Sequence, residues 1–492
     1  MKKLLSLILC TVLMLTVCAC SRQNPENPEN TTQVNSGYNT VLNNGNLKLA
    51  YSKTDSLNPF ECKTKINMQI SKLLYDGLFT LDGNFEPQKV IAESVIVGGR
   101  TVNVTIKDAV FSDGSKITSS DIEYSFNTAK NSDNFSAILD NIVNITISSD
   151  DMVMFVLEKP DPYAASCLYF PIIKKDTAVE DADPVGSGRY QLYKDGEKSY
   201  LLVNTKRTGF NPVIKKIFLE PIHDSESAES SLVIGNTAFF YSDLSDGKFS
   251  RINAKYCNIN LNNIVYMGFN PDCPFFENPG IRRAVSYALD RDRICSSGFS
   301  SHAVPAELPF NPSWYALKSL ASSQSSTIEK AEELIEESGI DLKSRVLVLM
   351  YNAENGFKEE TAKIIRDRLQ KAGFLVNLYG VEAEYFADEL RDGHYDLYIG
   401  EVKLQENMNL EPLFTGKASK GFAAGSESGE KYLSFTSGEC EIMDFLNTFN
   451  SEMPFVPLCY RNAVAFYTNS MNVDFNCSEN DVFYDIESWS IN

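Results

Sequence analysis

The sequence predicts an α/β protein of two or more domains, and three observations carry that prediction. The chain has 492 residues with 43% apolar and 11% aromatic content, enough to bury a large core and too much for one compact domain. Residues 326–402 alternate helix and strand patterns across short loops closed by Gly339 and Gly373, the signature of βαβ units with a parallel sheet covered on both faces. Residues 262–294, NNIVYMGFNPDCPFFENPGIRRAVSYALDRDRI, read as a strand, a turn and an amphipathic helix in succession.

The N-terminus is a secretory leader. Lys2 and Lys3 precede an apolar run from Leu4 to Val17, and Val17-Cys18-Ala19-Cys20 supplies the small-residue end. That ending resembles a bacterial lipobox, which implies a leader over residues 1–19 and a lipid on Cys20. An ordinary signal peptide or a short membrane anchor is the alternative, although the run is short against the roughly 20 apolar residues of a spanning helix. Residues 20–44 are expected to be a disordered tether: SRQNPENPENTTQVNSG has one aliphatic residue and no periodicity. Losing the leader removes Lys2 and Lys3 and leaves 43 basic against 65 acidic residues, a formal charge of −22. Nucleic acid is excluded as a partner on that balance, and no polybasic cluster addresses anionic lipid.

The first half of the folded chain reads mostly as strands. Leu47, Leu49 and Tyr51 alternate in a strand over 46–51, Leu57-Asn58-Pro59-Phe60 turns, and a helix is expected over 68–75. Val102, Val104 and Ile106 mark a half-exposed strand over 101–106. FSDGSKITSSDIEYSF (111–126) is a turn at Asp113-Gly114 followed by a helix capped by Ser119 or Ser120. Residues 141–147 and 152–157 are two further strands, and PVGSGRYQLYKDGEKSYLLVN (184–204) is a turn and strand return. Its glycines lack both G-x-x-x-x-G-K-[ST] and G-x-G-x-x-G, so no phosphate loop is read there.

In the second half, 264–269 is a buried strand closed by Asn270, Pro271 and Asp272. Asn278 caps the next helix, Pro279 fills its first position, and Ile281, Ala284, Val285, Ala288 and Leu289 form its buried face, with Arg291 and Arg293 expected at its negative end. Ser326 and Glu329 suggest a capping box. Strands are expected over 345–351, 374–381 and 394–402, and helices over 358–372 and 384–390. A Gly- and Ser-rich loop follows over 416–429, MPFVPLCYRNAVAFY (453–467) is a return strand, and Trp489 packs the last strand.

Three of these segments carry a family resemblance. The aromatic-Asn strand end with IRRAVSYALDRDRI, the LLYDGLFTLDGNFEPQKVIAESV stretch in which Asp76 replaces a usual Glu, and the F-x-D-G-x-x-x-T-x-x-D pattern of 111–121 resemble extracytoplasmic solute-binding proteins of the peptide and nickel class, family 5. The resemblance implies a type II periplasmic-binding-protein fold: two lobes joined by a hinge, with an extra small subdomain in the first lobe. The implied division is 45–74, 184–263 and 462–492 for the core of lobe I, 75–183 for its subdomain and 264–461 for lobe II. Crossings at 264–269 and 458–466 would form the hinge.

Catalytic constellations are lacking. Gly425 to Gly429 reads GSESG, with Glu427 where a nucleophile elbow needs Ser, and His223, His302 and His394 stand far apart. Once Cys10, Cys18 and Cys20 are set aside, eight scattered cysteines remain without a C-x-x-C, so zinc and thioredoxin readings fail; disulfides and buried thiols both stay open. No enzyme, cofactor or metal is read here.

The resemblance implies the substrate-binding subunit of an ABC importer. It would be held on the outer face of a bacterial cell membrane by lipid on Cys20 and act as a monomer. It would capture an oligopeptide or other small polar solute and deliver it to a permease with its ATPase subunits. In peptide-binding members the loop after the third strand of lobe II carries Gly-Trp, an acidic residue and Asp-Pro, whose carboxylate pairs with the ligand's ammonium. Here that loop is Gly400-Glu401-Val402-Lys403-Leu404-Gln405-Glu406, so Glu401 or Glu406 must substitute. Phe60, Tyr266, Phe269, Asn270, Trp314, Glu401, Val402, Lys403 and Glu406 are the expected ligand-binding residues; for the aromatics, core packing is the competing expectation. A surface sensor or scaffold lipoprotein that keeps the fold without transport is the alternative function.

Overall fold

The computed structural model describes residues 46–178, 183–318, 320, 327–415 and 421–492. The segments expected as leader and tether, with Cys20, lie outside the described residues.

The strands run β1 (Leu47–Ser52), β2 (Phe79–Leu81), β3 (Pro87–Lys89), β4 (Ala92–Gly98), β5 (Thr101–Ile106), β6 (Ile142–Ser149) and β7 (Met152–Leu157). They continue with β8 (Tyr190–Asp195), β9 (Lys198–Val203), β10 (Lys216–Ile222), β11 (Phe239–Ser242), β12 (Lys255–Phe269), β13 (Ala303–Pro305), β14 (Val346–Asn352), β15 (Leu375–Val381), β16 (Leu397–Lys403) and β17 (Val456–Tyr467). A continuous sheet in the order β15-β14-β16-β12-β17-β11-β1-β10-β9-β8 passes through both lobes. The small subdomain is a separate antiparallel sheet, β4-β5-β7-β6, with the helix Ser119–Lys130 against it. Two hydrophobic cores result, one around Leu73, Phe155, Phe170 and Trp489 and the other around Val265, Ile281, Leu397 and Phe445.

β12 and β17 connect the two halves. The sequence pattern marks only 264–269 as strand, because Asn258, Asn260, Asn262 and Asn263 break the apolar run; the strand in fact extends back to Lys255. The asparagines find partners of their own. Asn260 Nδ2 donates to the Gly83 carbonyl at 2.8 Å and Asn262 Nδ2 to the Gln405 carbonyl at 2.7 Å, while the register against β17 shifts between Asn260 and Ile264. The return strand spans Val456–Tyr467 and is buried along all but its last residue.

Several boundaries move for identifiable reasons. The first helix is Lys65–Leu74, begun by Thr64, whose side chain accepts from the Asn67 N–H. Thr118, not Ser119 or Ser120, caps the helix of the small subdomain, with its N–H given to Asp121 Oδ2 at 2.9 Å. Thr327 caps Ile328–Ser338, and Ser326 lies outside the described residues. The helix after β12 is Pro279–Ala288 with Asn278 as cap, but it stops before the two arginines. Arg291 is instead buried, its Nε donating to the carbonyls of Ala306 and Pro457 at 2.9 and 3.0 Å, so its role is to satisfy irregular backbone rather than a helix dipole. Glu427–Thr436 is helical, which shortens the expected glycine loop from its C-terminal side. Gly186 and Gly188 form a close-approach turn: a Cβ on Gly188 would lie 2.2 Å from the Leu74 carbonyl carbon. The eight cysteines described are free thiols, six of them buried.

Candidate ligand site between the lobes

β16 delivers the central side chains. Its pairing with β12 sets Val402 opposite Ile264 and Glu401 opposite Val265, and the alternation of the strand sends Glu401 and Lys403 to the same face. Glu401 Oε1 accepts from Arg461 Nε at 2.6 Å and from Asn263 Nδ2 at 3.0 Å, and its Oε2 lies 3.0 Å from Lys358 Nζ. Burial pushes this carboxyl up, yet Lys358 and Arg461 outweigh it and hold the pKa down to about 2. Glu401 is therefore already neutralised by two cations. Val402 is half-buried beside it.

Glu406 sits in a different environment. It is 2% exposed, and its Oε2 has no hydrogen-bond partner among the described residues. Burial raises its pKa, with Lys403 opposing and Glu479 reinforcing the shift. Lys403 itself is committed to Glu479 at 2.5 Å. Across from the loop stand Tyr169, whose hydroxyl interacts with the Glu406 carboxyl, and Lys72 of the first helix, whose Nζ lies 5.2 Å from the Tyr169 ring centre. Burial drives the Lys72 pKa down while Asp481 and Glu406 resist. This cluster joins the loop after β16 to the first helix and the C-terminal segment.

A wider groove of about 520 Å³ continues from it between the small subdomain and the helix Glu427–Thr436. Trp314 lines the groove, 4.6 Å from the Tyr163 ring and 5.1 Å from the Phe310 ring, with an indole N–H that has no acceptor among the described residues. Lys159–Glu411 at 2.5 Å, Asn407 Nδ2 to Asp161 Oδ2 at 2.6 Å and Gln405 Nε2 to the Ala137 carbonyl at 2.5 Å tie the subdomain to the loop.

The other expected residues are engaged in packing. Tyr266, 1% exposed, meets Tyr398 and Phe455 edge-on, and Phe269 lies 4.8 Å from Phe276. Both lie in the core, because the strand that carries them is covered on both faces. Asn270 closes the turn after β12: its Nδ2 donates to the Gly393 and Tyr395 carbonyls and its Oδ1 accepts from the Asp272 N–H. Phe60 is buried edge-to-face against Phe135, 5.6 Å away.

Sequence reasoning missed Lys72, Tyr169, Lys358, Arg461 and Glu479. Arg461 had a signal, as the lone charge in an otherwise apolar and neutral return strand. Lys72 had none, since one Lys on an amphipathic helix reads as solvated.

Among the described residues no group of three His, Cys, Asp or Glu side chains is placed to hold a metal ion, and no helix is long and apolar enough to cross a membrane. His302 is held by Asn258 Oδ1, 2.7 Å from its Nδ1, and burial lowers its pKa to about 4.

Comparison with known proteins places this geometry in context. The family described as bacterial extracellular solute-binding proteins, family 5 Middle, matches residues 86–413. The glutathione-binding protein GsiB of Pectobacterium atrosepticum is 24% identical over 357 residues, covering 68% of this chain and 69% of that protein. The oligopeptide-binding protein AppA of Bacillus subtilis is 24% identical over 367 residues, 66% of this chain and 67% of that one. Among solved structures, the unliganded open form of the periplasmic murein tripeptide binding protein MppA superposes with a TM-score of 0.75 at 18% identity, over 91% of this chain and 97% of that one.

Proposed function

The chain belongs to the bacterial extracellular solute-binding proteins, family 5, and from that premise we propose that it is the substrate-binding subunit of an ABC importer for oligopeptides or a related small polar solute. It is a solute-binding protein rather than an enzyme, like the relatives it matches. In this reading a lipid on Cys20 holds it to the outer face of the cell membrane, with residues 20–44 as tether. It works as a monomer, closes lobe II (264–461) on lobe I about the β12 and β17 crossings, and presents the solute to a permease and its ATPases.

The observation that carries the reading is Glu406. A buried carboxylate oxygen without a partner among the described residues is costly, by about 1–3 kcal/mol or more for a charged group, so a fold that retains one gains by offering it to a cationic group. Of the expected acids, Glu406 is the one with that capacity, and its chain neighbours Gln405 and Asn407 line the groove together with Trp314 and Lys403. Glu401 supports the sensor or scaffold alternative instead, because the acid at the start of the loop serves Arg461 and Lys358.

Native mass spectrometry of the chain from Ser21 onward, before and after unfolding and refolding, tests the proposal. A series of peptide masses lost on unfolding supports peptide capture. A bare protein that also ignores a peptide library in thermal-shift assays overturns it and leaves the sensor or scaffold reading. Radiolabelled fatty acid incorporated into the native chain, and absent from Cys20→Ser, tests the anchor.

A further inference from the structure

The strands of lobe I begin at an exposed apolar and basic patch. β1, β8, β10 and β11 run in the same direction, so Leu47, Tyr190, Lys216 and Phe239 all start at one end of the sheet. The helix Ser225–Val233 returns the chain from β10 to β11 and finishes at that end. In the connections there, Val213 and Ile234 are 59% and 58% exposed, and Val233 and Tyr193 are exposed as well. Apolar side chains scattered singly over a surface need no explanation, but grouped ones mark a contact surface.

Register makes the patch continuous. The Ala238 N–H donates to the Lys48 carbonyl at 2.9 Å, which sets the loop after Ile234 beside β1. From Lys48 one row crosses the sheet, with Phe218 opposite Lys48, Tyr200 opposite Phe218 and Tyr193 opposite Tyr200. The Tyr193 and Tyr200 rings stack at 5.8 Å, and Lys216 Nζ lies 3.8 Å from the Tyr200 ring centre and 4.5 Å from that of Phe218. Lys48 and Lys216 have no carboxylate partner among the described residues; Glu197, at the β8–β9 turn, is held by Lys53. Lys215 is exposed beside them, its Nζ on Asn211 Oδ1 at 2.7 Å.

Three observations name the occupant. Asn46 is followed at once by Leu47 of β1, so residues 20–45 join the fold at this end. Aliphatic tips, tyrosine rings and unpaired lysines together have the chemistry of a membrane–water interface, where rings and stems sit among the headgroups and ammonium groups meet lipid phosphate. A sugar chain would instead need open ring faces, and those of Tyr200 are taken by Tyr193 and Lys216. The formal charge of −20 does not oppose a bilayer here, because at physiological ionic strength exposed charges more than about 8 Å away are largely screened.

The geometry points to a bilayer-contact surface: Val213, Val233, Ile234 and Tyr193 lie in the interface of a phospholipid membrane, and Lys48, Lys215 and Lys216 meet its phosphates. This rests on the reading that a lipid on Cys20 holds the chain to a membrane, and it adds which end of the fold lies against that membrane. The other end of the same strands stays free. β11 ends at Ser242, and the Asp243 carbonyl beyond it accepts from Arg461 Nη1 at 2.8 Å, toward the crossing into lobe II. Bilayer contact therefore does not compete with solute capture between the lobes.

The test uses the chain from Ser21 onward, which retains every described residue and carries no lipid, with vesicles of phosphatidylethanolamine and phosphatidylglycerol. Trp314 and Trp489 are 1% and 0% exposed, so an added indole reports its own position. On vesicles Ile234→Trp is expected to shift its emission to the blue and to be quenched by brominated lipid. Tyr385→Trp, at an exposed position of lobe II, should show neither effect. Ile234→Asp combined with Lys216→Gln should weaken co-sedimentation with vesicles at least tenfold and leave the melting curve in place. A wild-type chain that stays in solution, equal quenching at both indoles, or binding only to peptidoglycan or to a second copy of the chain would overturn the bilayer contact. The fatty-acid label on Cys20 keeps the two readings apart: label present without vesicle binding overturns the contact surface alone, and label absent overturns the anchor alone.

Discussion

Glu401 Oε1 accepts a hydrogen bond from Arg461 Nε at 2.6 Å, across the two crossing strands' neighbourhood where β16, β12 and β17 lie side by side. Both side chains are shielded, at 14% and 7% exposure, and Lys358 completes a triad with Asn263 as the uncharged partner. Arg461 also donates from Nη1 to the Asp243 carbonyl at 2.8 Å, so the triad is tied to the segment after β11. It is a structural lock at the crossing, next to the site and separate from it.

Removing the acid from that lock leaves two cations buried without a counter-charge. Glu401→Gln is expected to destabilise the protein by about 3–5 kcal/mol in urea unfolding. The double variant Glu401→Gln, Arg461→Met should recover a measurable part of the loss, and a simple sum of the single effects would show that the two residues do not act as a pair.

The same acid sets an acid limit. Its folded pKa is about 2, below the ordinary 4.5. A depressed carboxylate contributes stability that is fully present above the unfolded pKa and is lost as pH falls through the folded one. The loss should therefore develop between about pH 4.5 and 2 and amount to about 3 kcal/mol. Glu401→Gln should flatten that part of the stability profile, and an unchanged slope would remove Glu401 as its source.

Glu406 has the opposite sign. Burial raises its pKa, so protonation begins above the ordinary carboxylate range. Affinity for a cationic ligand should fall as pH drops toward that range, earlier than the ionisation of an exposed carboxylate would predict. Glu406→Gln should abolish the pH dependence and weaken binding at least tenfold with no loss of melting temperature, because it removes a buried negative charge that no cation of the described residues meets in direct contact.

Two tryptophans report separate regions. Trp314 faces Tyr163 of the small subdomain across the groove, whereas Trp489 is packed among Phe239, Phe475 and Phe483. With Trp489→Phe, the remaining indole should change emission when ligand alters the groove, and with Trp314→Phe the ligand response should vanish. A response retained by Trp489 alone would mean that the groove is not remodelled on binding.

Glycine at 188 is required by backbone contact. Gly188→Ala sets a Cβ 2.2 Å from the Leu74 carbonyl carbon, which cannot rotate away, so a loss of about 3 kcal/mol or soluble protein lost altogether is expected. Gly98→Ala, with nothing within 4 Å, is the control that should leave the melting curve in place.

The fold was legible in the sequence wherever local pattern and tertiary environment agree. Alternation over 101–106 became β5 with the same boundaries, and Asn278-Pro279 began its helix as read, because capping and strand periodicity depend on neighbours a few residues away. The composition, the leader-like start and the three family-like segments likewise needed no coordinates. Tertiary structure decided which charges are spent. Glu401 and Glu406 are equivalent acids on one loop in the sequence, yet the first meets Arg461 and Lys358 from distant segments and the second meets no cation of the described residues in direct contact. Lys72 reads as an ordinary helix lysine until Tyr169 and Phe135 close over it. Tyr266 and Phe269 share their composition with pocket aromatics, and only the packing of β12 between β16 and β17 assigns them to the core. The reason is physical: pairing and desolvation act over a few ångströms in space, between residues that lie tens to hundreds apart along the chain.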